Sequence, residues 1–236
     1  MVLGAALYGG GSASVEATAG ATAAGGKPDC PRAAAGRHDL GRVAFIDGDR
    51  LRVVRLASCR VQTLVDSGVT PPLRWSADGR YLAYGSGEVV SASGGTPAQP
   101  LGPLQRGWGS GSPGWVWSPR GHRLAGVTAH GGVAVGGPGE QARQLWPQRW
   151  GANSIAWAPD GRTLAVSRSL YPRPPFHQEI WLLNLATDRP RLLWHLGESD
   201  LAPAWLSGFS PDGRWLLTWQ THRTRPRSLP TASRSR

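Results

Sequence analysis

Four copies of one ten-residue pattern dominate this chain of 236 residues. They read WSADGRYLAY from Trp75, WSPRGHRLAG from Trp117, WAPDGRTLAV from Trp157 and FSPDGRWLLT from Phe209. The anchors lie 42, 40 and 52 residues apart, and the longest interval holds a Pro-rich insertion, SLYPRPPFHQ. A fixed period constrains the fold strongly, because each copy is one structural unit that buries its apolar face only against its neighbours.

Each position of the pattern has a mechanical reason. Trp75, Trp117, Trp157 and Phe209 end one strand and supply a large apolar ring. A turn follows: Pro159 and Pro211 pre-set φ, while Asp78, Asp160 and Asp212 can bond nearby backbone. Gly79, Gly121, Gly161 and Gly213 tolerate positive φ. The next strand alternates and turns Leu82, Leu124, Leu164 or Leu216 inward. The pattern is therefore a β-hairpin, and Gly and Pro at this density exclude a helix. In the third copy SIAWA, RTLAVSRS, EIWLLNLA and RLLW read as four successive strands. The chain is expected to be all-β, a β-propeller of about four four-stranded antiparallel blades.

Three regions follow: 1–40, a leader-like or disordered segment; 41–220, the propeller; and 221–236, an Arg-rich disordered tail. Upstream of the first copy, Val43–Ile46, Leu51–Leu56 and Val61–Val65 read as three strands, whereas the last copy stops after one hairpin. Two readings stay open. Those three strands and that hairpin combine into one composite blade that closes a four-bladed ring, or the ring is incomplete and the sequence is a piece of a longer propeller.

The run WAPDGRTLAV followed by EIWLLNLATDRPRLL resembles the TolB-like, WD-like β-propeller repeat over roughly residues 43–220. Ala77, Arg120 and Ala158 depart from that family's Ser-Pro-Asp-Gly turn. The resemblance implies an envelope, periplasmic or secreted protein that binds partner proteins. It also implies propellers joined to hydrolase domains, which the sequence does not show.

A formal charge of +11 invites a nucleic-acid reading. Arg223, Arg225, Arg227, Arg234 and Arg236 supply five of those charges from the tail, and the other arginines are scattered without a basic helix. A solvated basic surface explains this better, so no nucleic-acid partner is expected. No run of 18 apolar residues is present, and no transmembrane helix is expected. The first residues, MVLGAALYGGGSASVEATAGATAAGG, join a short apolar stretch to signal-peptidase-like small residues. Export would favour a Cys30–Cys59 disulfide, and a cytosolic chain two free thiols.

Catalytic and metal motifs are sought without success. GSGSPG, residues 109–114, precedes a strand where a dinucleotide site needs a helix. The six histidines show no ligand spacing. Asp78, Asp160 and Asp212 occupy equivalent turns that symmetry keeps apart, whereas calcium needs six to eight converging oxygens. No cofactor is expected. Trp108 and Trp150 lie near blade connections, and with Phe176 and His177 of the long insertion they are the expected partner surface. The expectation is a non-enzymatic module that binds a protein or glycan through one propeller face. The alternatives are a glycan lyase or hydrolase with its site at the central channel, or a truncated, non-functional remnant of a longer propeller protein.

Overall fold

The computed structural model describes residues 5–8, 41–104, 114–147, 151–170, 176–199 and 205–219. They form five antiparallel sheets in chain order, with no helix among the described residues. Sheet I holds β1 (Ala5–Tyr8), β2 (Arg42–Asp47), β3 (Arg50–Arg55) and β4 (Arg60–Val65). Sheet II holds β5 (Leu73–Trp75), β6 (Tyr81–Tyr84) and β7 (Glu88–Ser91), and a single Val89–Ala98 bridge continues it outward. Sheet III holds β8 (Trp115–Trp117), β9 (Leu124–Val127), β10 (Val133–Gly136) and β11 (Arg143–Trp146). Sheet IV is the largest, with β12 (Ala152–Trp157), β13 (Thr163–Leu170), β14 (Phe176–Asn184) and β15 (Arg189–Ser199). Sheet V is one hairpin, β16 (Trp205–Phe209) and β17 (Leu216–Trp219). This is a β-propeller architecture, as the repeat requires.

The two-residue period of each second strand builds the seams between sheets. Leu82, Leu124 and Leu164, seven residues after the aromatic, have no exposed surface and face the preceding sheet. Ala83, Ala125 and Ala165, one residue on, are equally buried and face the following sheet. Thus Ile46 and Leu51 of sheet I pack on Leu82 and Tyr84 of sheet II. Ala83 and Val89 meet Trp115 and Leu124, and Ala125 and Val133 meet Trp157 and Leu164. Ala165 and Ile180 meet Leu206, Phe209 and Leu216. Burying each leucine contributes about 1.5–3 kcal/mol, so the seams rather than isolated hairpins hold the array.

Tryptophan at the anchor does more than fill space. The Trp117 indole N–H donates to the Arg74 carbonyl, and the Trp157 indole N–H to the Val116 carbonyl, each at 3.1 Å. Both acceptors sit one residue before the anchor of the preceding sheet, so the bond repeats with the sequence. Phe209 has no such donor.

The expected composite blade does not form. β1 occupies the place beside β2, and β16 and β17 pair with each other next to β12. The strand at Ala5–Tyr8 falls within the 1–40 segment expected to be a leader or disordered. Its pairing, Leu7 with Val43 and Ala5 with Phe45, satisfies the β2 edge that the C-terminal hairpin was expected to cover. Among the described residues no hydrophobic cluster joins sheet V to sheet I.

Candidate functional site

The repeated turns are built from their own side chains. The Ser76 hydroxyl donates to Asp78 Oδ1 at 2.7 Å and accepts the Tyr81 amide at 3.0 Å, while Asp78 Oδ1 accepts the Arg80 amide. Ser210, Asp212, Arg214 and Trp215 repeat these contacts in the last copy. Where Ala158 replaces the serine, Asp160 Oδ1 takes over the Thr163 amide at 2.9 Å, and Thr163 Oγ1 donates to Asp160 Oδ2 at 2.8 Å. The turn survives because a carboxylate has acceptor capacity to spare. Gly79, Gly121, Gly161 and Gly213 all adopt the positive φ expected of them.

Successive turns also touch, which the symmetry argument had not foreseen. His122 Nδ1 lies 2.8 Å from Asp78 Oδ2, and the His122 and Tyr81 ring centroids are 5.1 Å apart. The Arg120 stem lies over the next turn, within 3.3 Å of where a Cβ on Gly161 would sit. Pro159 stands against Gly213 in the same way. Arg120, which occupies an aspartate position of the pattern, thus places its charge beside the aspartate of the following turn. Burial acts to raise the Asp78 carboxyl, but hydrogen bonds from Ser76, His122 and the Arg80 amide outweigh it and hold the pKa below the ordinary value. Asp160 behaves alike: burial is offset by the Arg162 amide, Thr163 and the nearby Arg120 charge. These carboxylates serve turn geometry, and among the described residues no cluster of three or more His, Cys, Asp or Glu could hold a metal ion.

Sheet IV carries a second polar constellation. Arg168, Glu179 and His195 stand directly opposite one another across β13, β14 and β15. Arg168 Nη1 lies 3.4 Å from Glu179 Oε2, the Trp181 indole donates to that same oxygen at 2.8 Å, and His195 Nδ1 is 3.8 Å from Glu179 Oε1. The Glu179 side chain is only 14 % exposed, so its charge is held by partners rather than by water. This ladder fixes the register of the three longest strands. The lone acid in the apolar strand HQEIWLLN was its only trace in the sequence.

Outside the ladder, β15 presents Leu192, Leu193 and Trp194, each 40–44 % exposed. Ile180 pairs with Trp194 and Trp181 with Leu192, which leaves Leu193 as the extra residue of a β-bulge. Because Ile180 and Trp181 point to opposite faces, Trp194 and Leu192 do too, and the three apolar side chains lie around both faces of this outer edge strand. Arg189, Arg191 and His195 flank them and are exposed. Between sheets III and IV a cavity of about 210 Å³ opens among Arg123, Val135, Glu140, Gln141, Arg143 and Leu185. Arg143, one of its lining residues, pairs with Asp188 and donates to the Leu185 carbonyl at 3.3 Å.

Of the expected partner surface, Trp108 and Trp150 lie outside the described residues. Phe176 and His177 open β14, opposite Ser199 and Leu170, at the end where sheet IV runs past its inner strand. Trp146, also near a blade connection, is buried in the seam between sheets III and IV. Cys59 is disulfide-bonded in the turn between β3 and β4, and its expected mate Cys30 lies outside the described residues. No helix among the described residues is long and apolar enough to cross a membrane.

No known protein family matches the chain, and neither does any curated protein. Several solved structures do. A dipeptidyl peptidase 4 from Porphyromonas gingivalis superposes with a TM-score of 0.55 at 12 % identity, over 77 % of this chain and 35 % of its own. TolB from Acinetobacter baumannii gives 0.39 at 15 % identity, over 67 % and 41 %. An oligogalacturonate lyase in complex with manganese gives 0.30 at 16 % identity, over 73 % and 65 %. The chain thus spans about a third of the peptidase it matches, and at these identities the likeness is one of fold: this chain has the architecture of a β-propeller.

Proposed function

We propose that the chain is a non-enzymatic binding module that recognises a partner protein through the outer strand of sheet IV. One observation carries this reading: Leu192, Leu193 and Trp194 stand exposed in succession along the outer edge strand β15, with Arg189, Arg191 and His195 exposed before and after them. An apolar centre with a basic rim is the anatomy of a recognition patch, and Trp and Arg are enriched among residues that dominate binding energy. The matching partner surface has an apolar pocket edged by carboxylates. The Arg168–Glu179–Trp181 contacts support the patch from below by holding its strands in register, which reduces the ordering cost of binding.

The disulfide at Cys59 supports an exported chain, since such bonds persist in oxidising compartments. The envelope reading therefore rests on chemistry as well as on the sequence resemblance.

The test is cross-linking in the source cells, identification of the joined protein, and titration of the purified pair. Leu193→Asp with Trp194→Ser is expected to weaken binding more than tenfold while lowering the melting temperature less than a substitution at a fully buried seam residue, because the two side chains are 44 % and 40 % exposed. Unchanged affinity would refute the assignment of the patch. Turnover of a polysaccharide or ester substrate, abolished by Glu179→Gln, would replace a binding module with an enzyme.

A further inference from the structure

The cavity between sheets III and IV takes no part in the proposed contact through β15, and its lining is chemically specific. Arg123, Val135, Glu140, Gln141, Arg143 and Leu185 surround about 210 Å³. Drug-sized sites begin at about 300 Å³, so this one admits a single small molecule. Val135 and Leu185 belong to one apolar cluster of the seam and give the cavity an apolar side. A tight turn delivers the carboxylate. Pro138 and Gly139, the latter at φ +76°, hold its two middle positions, and the Glu140 amide donates to the Gly137 carbonyl at 3.0 Å. Arg123 Nε lies 3.7 Å from Glu140 Oε2, an ion pair too long for a hydrogen bond. Among the described residues the side chains of Arg123, Glu140 and Gln141 make no hydrogen bond. Arg143, by contrast, is committed to Asp188 and to the Leu185 carbonyl.

We propose that this cavity binds a free α-amino acid with an aliphatic side chain. Its carboxylate sits on Arg123 and Gln141, its ammonium on Glu140 and its side chain against Val135 and Leu185. An amino acid carries opposite charges one carbon apart, and Arg123 and Glu140 present the complementary charges side by side. Other small ligands are opposed by one half of the lining. A phosphate or sulfate meets the Glu140 carboxylate, and with Asp188 beside Arg143 the surroundings carry no net positive charge. A bare amine or a metal cation meets two guanidinium groups. A neutral apolar molecule strips water from the charges and returns no hydrogen bond. The zwitterion matches both signs and the apolar side together. Parting Arg123 from Glu140 to admit it costs little, because exposed ion pairs contribute little. The fixed turn that holds Glu140 lowers the ordering cost of binding.

Calorimetric titration of the full chain with L-leucine, L-isoleucine and L-valine tests this. At least one is expected to bind one-to-one with a Kd below about 1 mM. The N-acetyl form of the best binder lacks the ammonium, and its methyl ester lacks the carboxylate. Each is expected to bind at least tenfold more weakly than the free amino acid. Glu140→Gln is expected to abolish the preference over the N-acetyl form, and Arg123→Gln the preference over the ester. Both side chains are about half exposed, so both variants should keep a cooperative melt. The blocked ligands probe the same two charges on the unaltered chain, whether or not either variant folds. No saturable binding by any of the three amino acids, equal binding of a blocked form, or tighter binding of inorganic phosphate would overturn the proposal. So would unchanged ligand preference in both folded variants.

Discussion

Replacing Trp157 by Phe isolates the contribution of the indole bond between sheets. The ring is 8 % exposed, and its N–H donates to the Val116 carbonyl of sheet III at 3.1 Å. Phenylalanine keeps an aromatic face in the seam and removes the donor. Losing one such hydrogen bond costs about 1 kcal/mol. The smaller ring forfeits apolar contact worth about another 1 kcal/mol. A total of about 2 kcal/mol corresponds to a fall of about 4–8 °C in Tm for a domain of this size. Trp117→Phe should behave alike, since its indole bonds to the Arg74 carbonyl at the same distance. The reverse change, Phe209→Trp, supplies the missing donor opposite sheet IV and is expected to raise stability by about 1 kcal/mol. Urea titrations followed by far-UV circular dichroism read all three. Losses below about 0.5 kcal/mol for both Trp→Phe variants would refute the staple and leave the tryptophans as filler.

Two further perturbations probe the turns. Gly161→Ala and Gly121→Ala both place a Cβ at positive φ, +66° and +70°, which costs about 1–2 kcal/mol. Only at Gly161 does that Cβ also meet the Arg120 stem, at 3.3 Å, so Gly161→Ala should lower the urea midpoint further; equal losses would mean that the turns do not press on each other. Acid should act through Asp78 and Asp160, whose folded-state pKa values lie below the ordinary 3.8. As pH falls the unfolded chain takes up these protons first, so their stabilisation is complete above about 3.8 and is lost as pH drops through the folded values. Asp78→Asn with Asp160→Asn should flatten the fall in urea midpoint below pH about 4, and an unaltered profile would contradict the assignment.

The architecture was readable because the repeat encodes both structure and seam. Ser-x-Asp-Gly names its turn, and the Leu-Ala pair names which side faces backwards and which forwards. The positions of β12 to β15 follow from apolar runs, although β15 runs on from RLLW through Ser199. Chain ends were harder, because AALY at Ala5–Tyr8 carries no repeat signature and only pairing with β2 makes it a strand. The charged ladder was invisible for a different reason: Arg168, Glu179 and His195 are 11 and 16 residues apart in sequence and meet only through strand register. His122 showed no ligand spacing in the sequence, and its contact with Asp78 spans a seam that no local pattern reports.

The staples have a direction. Trp117 and Trp157 each reach back to a carbonyl of the sheet made before them. On the ribosome, the acceptor for each of these two indoles is therefore already in place when its donor emerges. At about 5–20 residues per second, a unit of 40–42 residues appears every few seconds, far longer than a hairpin needs to form. Assembly can proceed vectorially, each nascent sheet templating its successor, with contacts that stay local along the chain and loop-closure entropy that stays small. Reversing the order of units in a permuted gene would separate donors from acceptors at the permuted junction, and the resulting delay in refolding would fall on that seam alone.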